Sequence, residues 1–207
     1  MHTDSRTEQR RASLLQAALE LFVEKGFHET KVSEIVERAG VAQGTFYLYF
    51  SSKREAFNTL MGLWFDALWR VLEESSRFRP ATLEEAAARA HADVATVFRL
   101  CADRPLLARL MLKQAEGVGP DVSERLEDFR VRVAAHIEQT FTLRQEAGLV
   151  RPFNARVLAH SLVGMVERVA FRWFVMGETP PLSPEDLAEE LVQFQVRGIA
   201  RDWPPAV

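Results

Sequence analysis

Residues suited to catalysis or metal binding are present in this chain but scattered. His28, His91, His136 and His160 show no HxxxH or HExxH spacing, so no paired imidazoles fall on one helix face. The single cysteine, Cys101, has no partner for a disulfide or a cysteine-based zinc site, and reads as a small buried apolar residue. The pairs Glu84/Glu85 and Glu189/Glu190 sit on solvated helix faces. There is no Walker sequence, no GxSxG and no GxGxxG, and GVGPDV at 117–122 is a helix breaker. No catalytic constellation results, so neither an enzyme, a bound metal nor a cofactor is expected. One stretch does stand apart, GTFYLYF at 44–50, in which four of seven residues are aromatic. Propensity alone would make it a strand.

A strand there has no neighbour to satisfy its backbone donors and acceptors. As a helix the stretch sorts cleanly. Phe46 and Phe50 are four apart and share a core face, Gly44, Thr45, Tyr47 and Leu48 lie around the opposite side, and Gln43 and Tyr49 flank them. The preceding residues place Val32, Ile35, Val36 and Ala39 on one side of a short helix at about 31–39. The Ala39-Gly40-Val41 turn then joins the two, and two short helices across a glycine-containing turn make a helix-turn-helix. In such a motif the second helix enters the DNA major groove.

The rest of the chain must position that pair. Its 207 residues are 47% hydrophobic and 27% charged, a globular composition with room for a small domain and a larger one. No apolar run approaches the roughly 18–20 residues that cross a bilayer, and the polar first residues lack a signal-peptide core, so a cytoplasmic protein is expected. Net charge is −3, and residues 1–53 carry seven Lys/Arg against seven Asp/Glu. Any DNA-facing potential must come from placement rather than bulk charge. The pattern predicts an all-α chain of about nine helices: 6–25, 31–39, the 43–50 stretch, 52–76, 82–102, a helix from Arg104-Pro105, 121–147, 154–177 and one from Ser183 to about Arg201. Thr82 with Glu85, Asn154, and Ser183-Pro184 supply N-terminal signals, and GETPPLSP at 177–184 is the sharpest loop.

Residues 10–57 resemble the DNA-binding domain of the TetR family of transcriptional regulators. The likeness is carried by LLQAALELFVEKGF, Thr30, Val32, Ile35, AGVAQGTFYLYF, Lys53 and Phe57. It implies a three-helix DNA-binding domain at 1–53 and a ligand-binding, dimer-forming helical domain at 54–207. It implies that Gln43, Thr45 and Leu48 lie near bases, with Gly44 allowing close approach. Tyr47, Tyr49 and Lys53 then meet phosphates or the groove wall, and the helix start at Thr30 and Lys31 touches the DNA backbone. The chemistry agrees: Gln pairs with adenine, Thr and Leu methyls meet a thymine methyl, and Tyr and Lys bond phosphate. Leu48 either touches a base or packs on a neighbouring helix. Lys31 stands where the family commonly has Thr or Ser, which would shift the helix cap to Thr30.

For the larger part the resemblance implies a dimer on a palindromic double-stranded DNA operator, repressing until a small apolar effector releases it. Phe65, Leu68, Trp69, Phe98, Cys101, Leu107, Met111, Phe129 and Trp173 are the apolar candidates to line a cavity, and ordinary core packing is the alternative for each. AGVAQGTFYLYFSSKREAF and EAGLVRPFNARVLAHSLVGMVERV look like the fatty-acid-degradation repressors, which implies long-chain acyl-CoA, its phosphates meeting Arg99, Arg104, Arg109 and Lys113. A multidrug or other hydrophobic-ligand sensor is a second reading, with Glu167 among Trp173 and Phe174 as its acid. An adaptor that binds no DNA is a third. The helices at 154–177 and 184–201 are the dimer candidates, being apolar on more faces than one core contact requires.

Overall fold

Helix boundaries fall where capping chemistry places them. A computed structural model describes residues 2–179 and 181–199. Among the described residues there is no strand, and nine α-helices follow one another: α1 (His2–Lys25), α2 (Val32–Arg38), α3 (Gln43–Tyr47), α4 (Lys53–Ser76), α5 (Leu83–Asp103), α6 (Pro105–Arg109), α7 (Pro120–Glu146), α8 (Ala155–Ala170) and α9 (Pro184–Ile199). The all-α reading of the sequence holds. The continuation of α9 to Arg201 lies outside the described residues, as does Pro180 in the loop before it.

The chain forms two compact units. The first takes residues 1–66 with 106–123, the second 67–105 with 124–207. In the first, Leu14, Ala18 and Phe22 of α1 are wholly buried, as are Ile35 of α2, Phe46 and Phe57. Phe22, Phe27 and Phe57 form an aromatic nucleus with ring centroids 5.4–5.9 Å apart. Ion pairs bind α1 to α2 on the outside. Arg38 grips Glu24 at 2.5 and 2.9 Å, and Lys25 pairs with Glu34. These cations hold the Glu24 and Glu34 carboxyls below their ordinary range.

After α6 the helix is not broken at once but rewound. It widens to a π-helix at Leu110–Gln114, then tightens to a 3₁₀ turn at Ala115–Val118. Side chains fasten this segment to the rest of its unit. Gln114 Nε2 donates to Val23 O at 3.1 Å, His28 Nε2 lies 3.1 Å from Gly117 O, and Arg54 donates to Val118 O at 3.2 Å. Arg54 also lies over the Phe27 ring and 3.5 Å from Asp121. Gly119 makes room for that guanidinium. Its φ is +154°, and a Cβ there would stand 3.1 Å from Asp121 Oδ1 and 3.2 Å from Arg54 NH2.

In the second unit α5 and α9 pack together; Val94, Ala95 and Phe98 of α5 and Leu187, Ala188 and Val192 of α9 are buried. Caps appear at the sites read from sequence. Thr82 Oγ1 accepts from Glu85 N at 3.1 Å, Asn154 Oδ1 from Val157 N at 3.1 Å, and Ser183 Oγ from Asp186 N at 3.0 Å. The Glu85 carboxylate departs from a full capping box by reaching back to Ala81 N instead of Thr82 N. At the far end of α9, Arg151 donates to Gly198 O at 2.7 and 3.0 Å, a cation on orphan helix carbonyls. No helix is long and apolar enough to cross a membrane among the described residues.

Two neighbouring glycines provide a contrast. Gly119→Ala should cost about 2 kcal/mol, since strained backbone and a displaced Arg54 add together. Gly117, with a negative φ and open space where a Cβ would stand, should tolerate alanine with little change. Thermal melts of the two variants against wild type check the difference.

Candidate nucleic-acid interface

The turn between α2 and α3 is fixed by backbone bonding. Gly40 adopts φ +66°, its N–H bonds Glu37 O at 3.1 Å, and Val41 N bonds Val36 O at 3.0 Å. That pair of bonds is a Schellman stop, and it requires the left-handed conformation glycine adopts without a Cβ penalty. Ala42, extended at ψ 148°, then starts α3. The helix is regular over five residues, shorter than the 43–50 expected, but Tyr49 N and Phe50 N both still bond Phe46 O.

Phe46 and Phe50 are 0% and 1% exposed, with ring centroids 5.6 Å apart, and Arg11 covers the Phe50 ring. With those two side chains inward, the other face turns to solvent. Tyr47 is 56% exposed and Leu48 80%, while Gln43 and Gly44 are exposed and Thr45 and Tyr49 half-buried. A Cβ on Gly44 would meet nothing within 4 Å, so nothing inside the protein demands glycine there. The structure therefore brings Gln43, Gly44, Thr45, Tyr47, Leu48 and Tyr49 together on one short helix and the turn that ends it. Leu48 does not pack on a neighbouring helix.

Two residues expected at the DNA backbone make hydrogen bonds within the protein. Thr30 is 1% exposed, and its Oγ1 lies 2.8 Å from Gly26 O and 3.3 Å from Leu21 O, where it donates to the end of α1. Lys53 Nζ donates to Phe27 O, His28 O and Thr30 O at 2.8, 2.9 and 2.8 Å. All three ammonium protons are thus engaged, above the Phe27 ring, and burial lowers the Lys53 pKa. Their residue types match phosphate chemistry, but the α1–α2 loop has carbonyls of its own to satisfy.

The cap of α2 also differs from expectation. Lys31, not Thr30, is the capping position, with an extended backbone at ψ 147°. Glu34 Oε2 accepts from Lys31 N at 2.8 Å, but an ammonium has no lone pair to return the bond. This is half a capping box, and the Lys31 side chain is exposed.

The ligand-lining candidates divide between the units. Phe65, Leu107, Arg109 and Met111 belong to the first, and Leu68, Trp69, Phe98, Cys101, Arg104, Phe129 and Trp173 to the second. Within the second unit, Trp69 meets Phe129 and His136 edge-on and lies under Arg132. The Phe98 ring meets Phe174 at a 39° tilt, 5.8 Å between centroids, and Phe174 belongs with Trp173 to a second π-helical turn, Phe171–Val175. Trp173 Nε1 is buried with no hydrogen-bond partner. Burial pushes the Cys101 thiol up to about 12, which suits an inert core residue. Arg104 and Arg109 are exposed. Glu167, the acid of the drug-sensor reading, is held by Arg130 at 3.0 and 3.1 Å. Sequence reasoning missed that pair because its members are 37 residues apart on α7 and α8.

Comparison with known proteins agrees with the helix-turn-helix. The family described as bacterial regulatory proteins, tetR family, matches residues 14–60. An uncharacterised HTH-type transcriptional regulator, YdgC of Bacillus subtilis, is 28% identical over 91% of this chain and 92% of its own length. The HTH-type transcriptional activator FasR of Mycolicibacterium smegmatis is 27% identical over 93% of this chain and 84% of its own. Among solved structures, FadR from Bacillus subtilis in complex with stearoyl-CoA superposes with a TM-score of 0.72 at 21% identity, covering 91% of this chain and 98% of that one.

Lys53→Met should lower stability by about 2 kcal/mol, the order expected for losing charge-assisted hydrogen bonds. Thermal unfolding in the absence of DNA reads this directly. A phosphate-only role for Lys53 would leave the melting temperature unchanged.

Proposed function

We propose that this chain, whose residues 14–60 match the tetR family of bacterial regulatory proteins, is a member of that family and a dimeric, effector-released transcriptional repressor of a palindromic operator. The observation that carries this is the division of α3 into a buried Phe46/Phe50 face and an exposed face of Gln43, Gly44, Tyr47 and Leu48. On this reading Gln43, Thr45 and Leu48 read base edges, Tyr47 and Tyr49 bond phosphates, and Lys31 meets the backbone from the start of α2. Residues 1–53 then read DNA, and 54–207 bind effector and partner. That is a division of labour, whereas packing groups 106–123 with the reading head.

The dimer surface is α8 and α9. Only Ala159 and Ala170 of α8 are buried within the protomer, although the helix carries Val157, Leu158, Leu162, Val163, Met165, Val166 and Val169. Val157 is 58% exposed and Phe194 of α9 75%. A twofold pairing through these faces sets two reading helices against successive major grooves.

The effector is a long-chain acyl-CoA. Support comes from the aromatic interior of the second unit around Trp69, Phe98 and Phe129, and from the likeness to a fold solved with stearoyl-CoA. The 106–123 segment carries the response. Gln114, His28 and Arg54 fasten it to α1, the α1–α2 loop and the start of α4, so a shift of the segment reaches the reading head. Release requires the effector to bind one of the two head arrangements more tightly than the other.

Two measurements test the proposal. Gly44→Ala should leave thermal stability unchanged or raised, since alanine gains about 1 kcal/mol in a helix, yet weaken operator binding in fluorescence anisotropy; undiminished binding would remove Gly44 from the DNA face. Saturating stearoyl-CoA should release wild-type protein from its operator, and unchanged affinity would refute the effector assignment.

A further inference from the structure

α1 runs past the core of its own unit. From residue 6 through residue 13 every side chain is exposed, and burial begins only at Leu14. That stretch makes about two helical turns outside the packed part. The stripe that goes inward, Leu14, Ala18 and Phe22, continues outward at the same three- and four-residue spacing to Arg11. Arg11 thus takes a core-facing position beyond the end of the core. Its guanidinium lies over the Phe50 ring, 5.4 Å from the centroid.

That contact seats a cation at the turn that ends the reading helix. Phe50 follows Tyr49 and precedes Ser51, whose N–H donates to Glu55 Oε2 at 2.6 Å. Hydrogen bonds from Ser51, with a smaller contribution from the charge of Arg11, hold the Glu55 carboxyl below its ordinary range. A cation–π contact needs no oxygen acceptor, so the forked donors of a guanidinium stay available to one. Among the described residues none accepts a hydrogen bond from Arg11. Lys53, by contrast, has its three protons on backbone carbonyls. We propose that Arg11, seated on Phe50, bonds a DNA phosphate at the edge of the groove that α3 enters, extending the interface from the reading helix to the projecting start of α1. This rests on the DNA-binding reading above. Charge complementarity favours that occupant, and arginine's fork matches phosphate oxygens two at a time. The ring holds the side chain in place before DNA arrives, which lowers the ordering cost of the contact.

The test is fluorescence anisotropy of the full chain over a series of salt concentrations, with two probes. One is a duplex that the chain itself selects from a random-sequence pool, and the other is a scrambled duplex of the same length. Arg11→Met keeps a long side chain on the Phe50 ring and removes the charge. It should melt as wild type does and weaken both duplexes by the same factor, about tenfold, the loss of one charge-assisted bond to phosphate. Its salt slope should be shallower than that of wild type by about 0.9. Arg11→Lys, which keeps the charge, should keep the wild-type slope. If Arg11→Met does not fold, Arg11→Gln carries the same comparison. An unchanged slope in the uncharged variant, whatever its affinity, overturns the proposal and leaves the DNA-binding reading standing. So does a loss confined to the selected duplex, which would make Arg11 a support for the reading helix and not a phosphate contact. Wild type that binds neither duplex sinks both the proposal and the reading beneath it.

Discussion

A helix of five residues has no stability of its own, because nucleation fixes more backbone than so few hydrogen bonds repay. α3 therefore stands where it does because Phe46 and Phe50 are buried beneath it. Everything on the outer face follows from those two rings. With Phe46 and Phe50 turned inward and 5.6 Å apart, the backbone has no choice but to present Gln43, Gly44, Tyr47 and Leu48 to solvent. Leu48, 80% exposed, stands beside the exposed Tyr47. The chain's only two tyrosines, Tyr47 and Tyr49, both fall in this stretch.

The same economy governs the loop between α1 and α2. Four carbonyls there, from Gly26, Phe27, His28 and Thr30, are closed by Thr30 and Lys53. Lys53 begins α4, so the helix that leaves the head is tied to the loop entering α2. Arg54, the next residue, reaches in turn to Val118 O and the Phe27 ring. Of these two adjacent cations at one helix start, Lys53 ties the α1–α2 loop to α4 and Arg54 ties α4 to the 106–123 segment.

What the sequence discloses is local. The four-residue step from Phe46 to Phe50, the glycine turn at Gly40, and caps at Thr82, Asn154 and Ser183 can each be read from a few neighbouring residues. Thr30 and Lys53 are not decided by residue type, because a hydroxyl and an ammonium suit protein carbonyls as well as phosphates. Choosing between them needs the position of carbonyls more than twenty residues from Lys53. The π-helical turns at 110–114 and 171–175 carry no periodic signal distinguishable from α-helix.

The central claim is that the exposed face of α3 binds DNA through phosphates and bases, and does not serve a protein partner. Its most direct test is the salt dependence of binding to the chain's own operator. Each neutralised phosphate releases counterions, so the logarithm of the affinity should fall linearly with the logarithm of salt concentration, with a slope of about −0.9 per phosphate contact. Specific binding with a slope of several units is the predicted result. Binding indifferent to salt, or no preference for any duplex, would contradict the account and leave the helical adaptor as the better description.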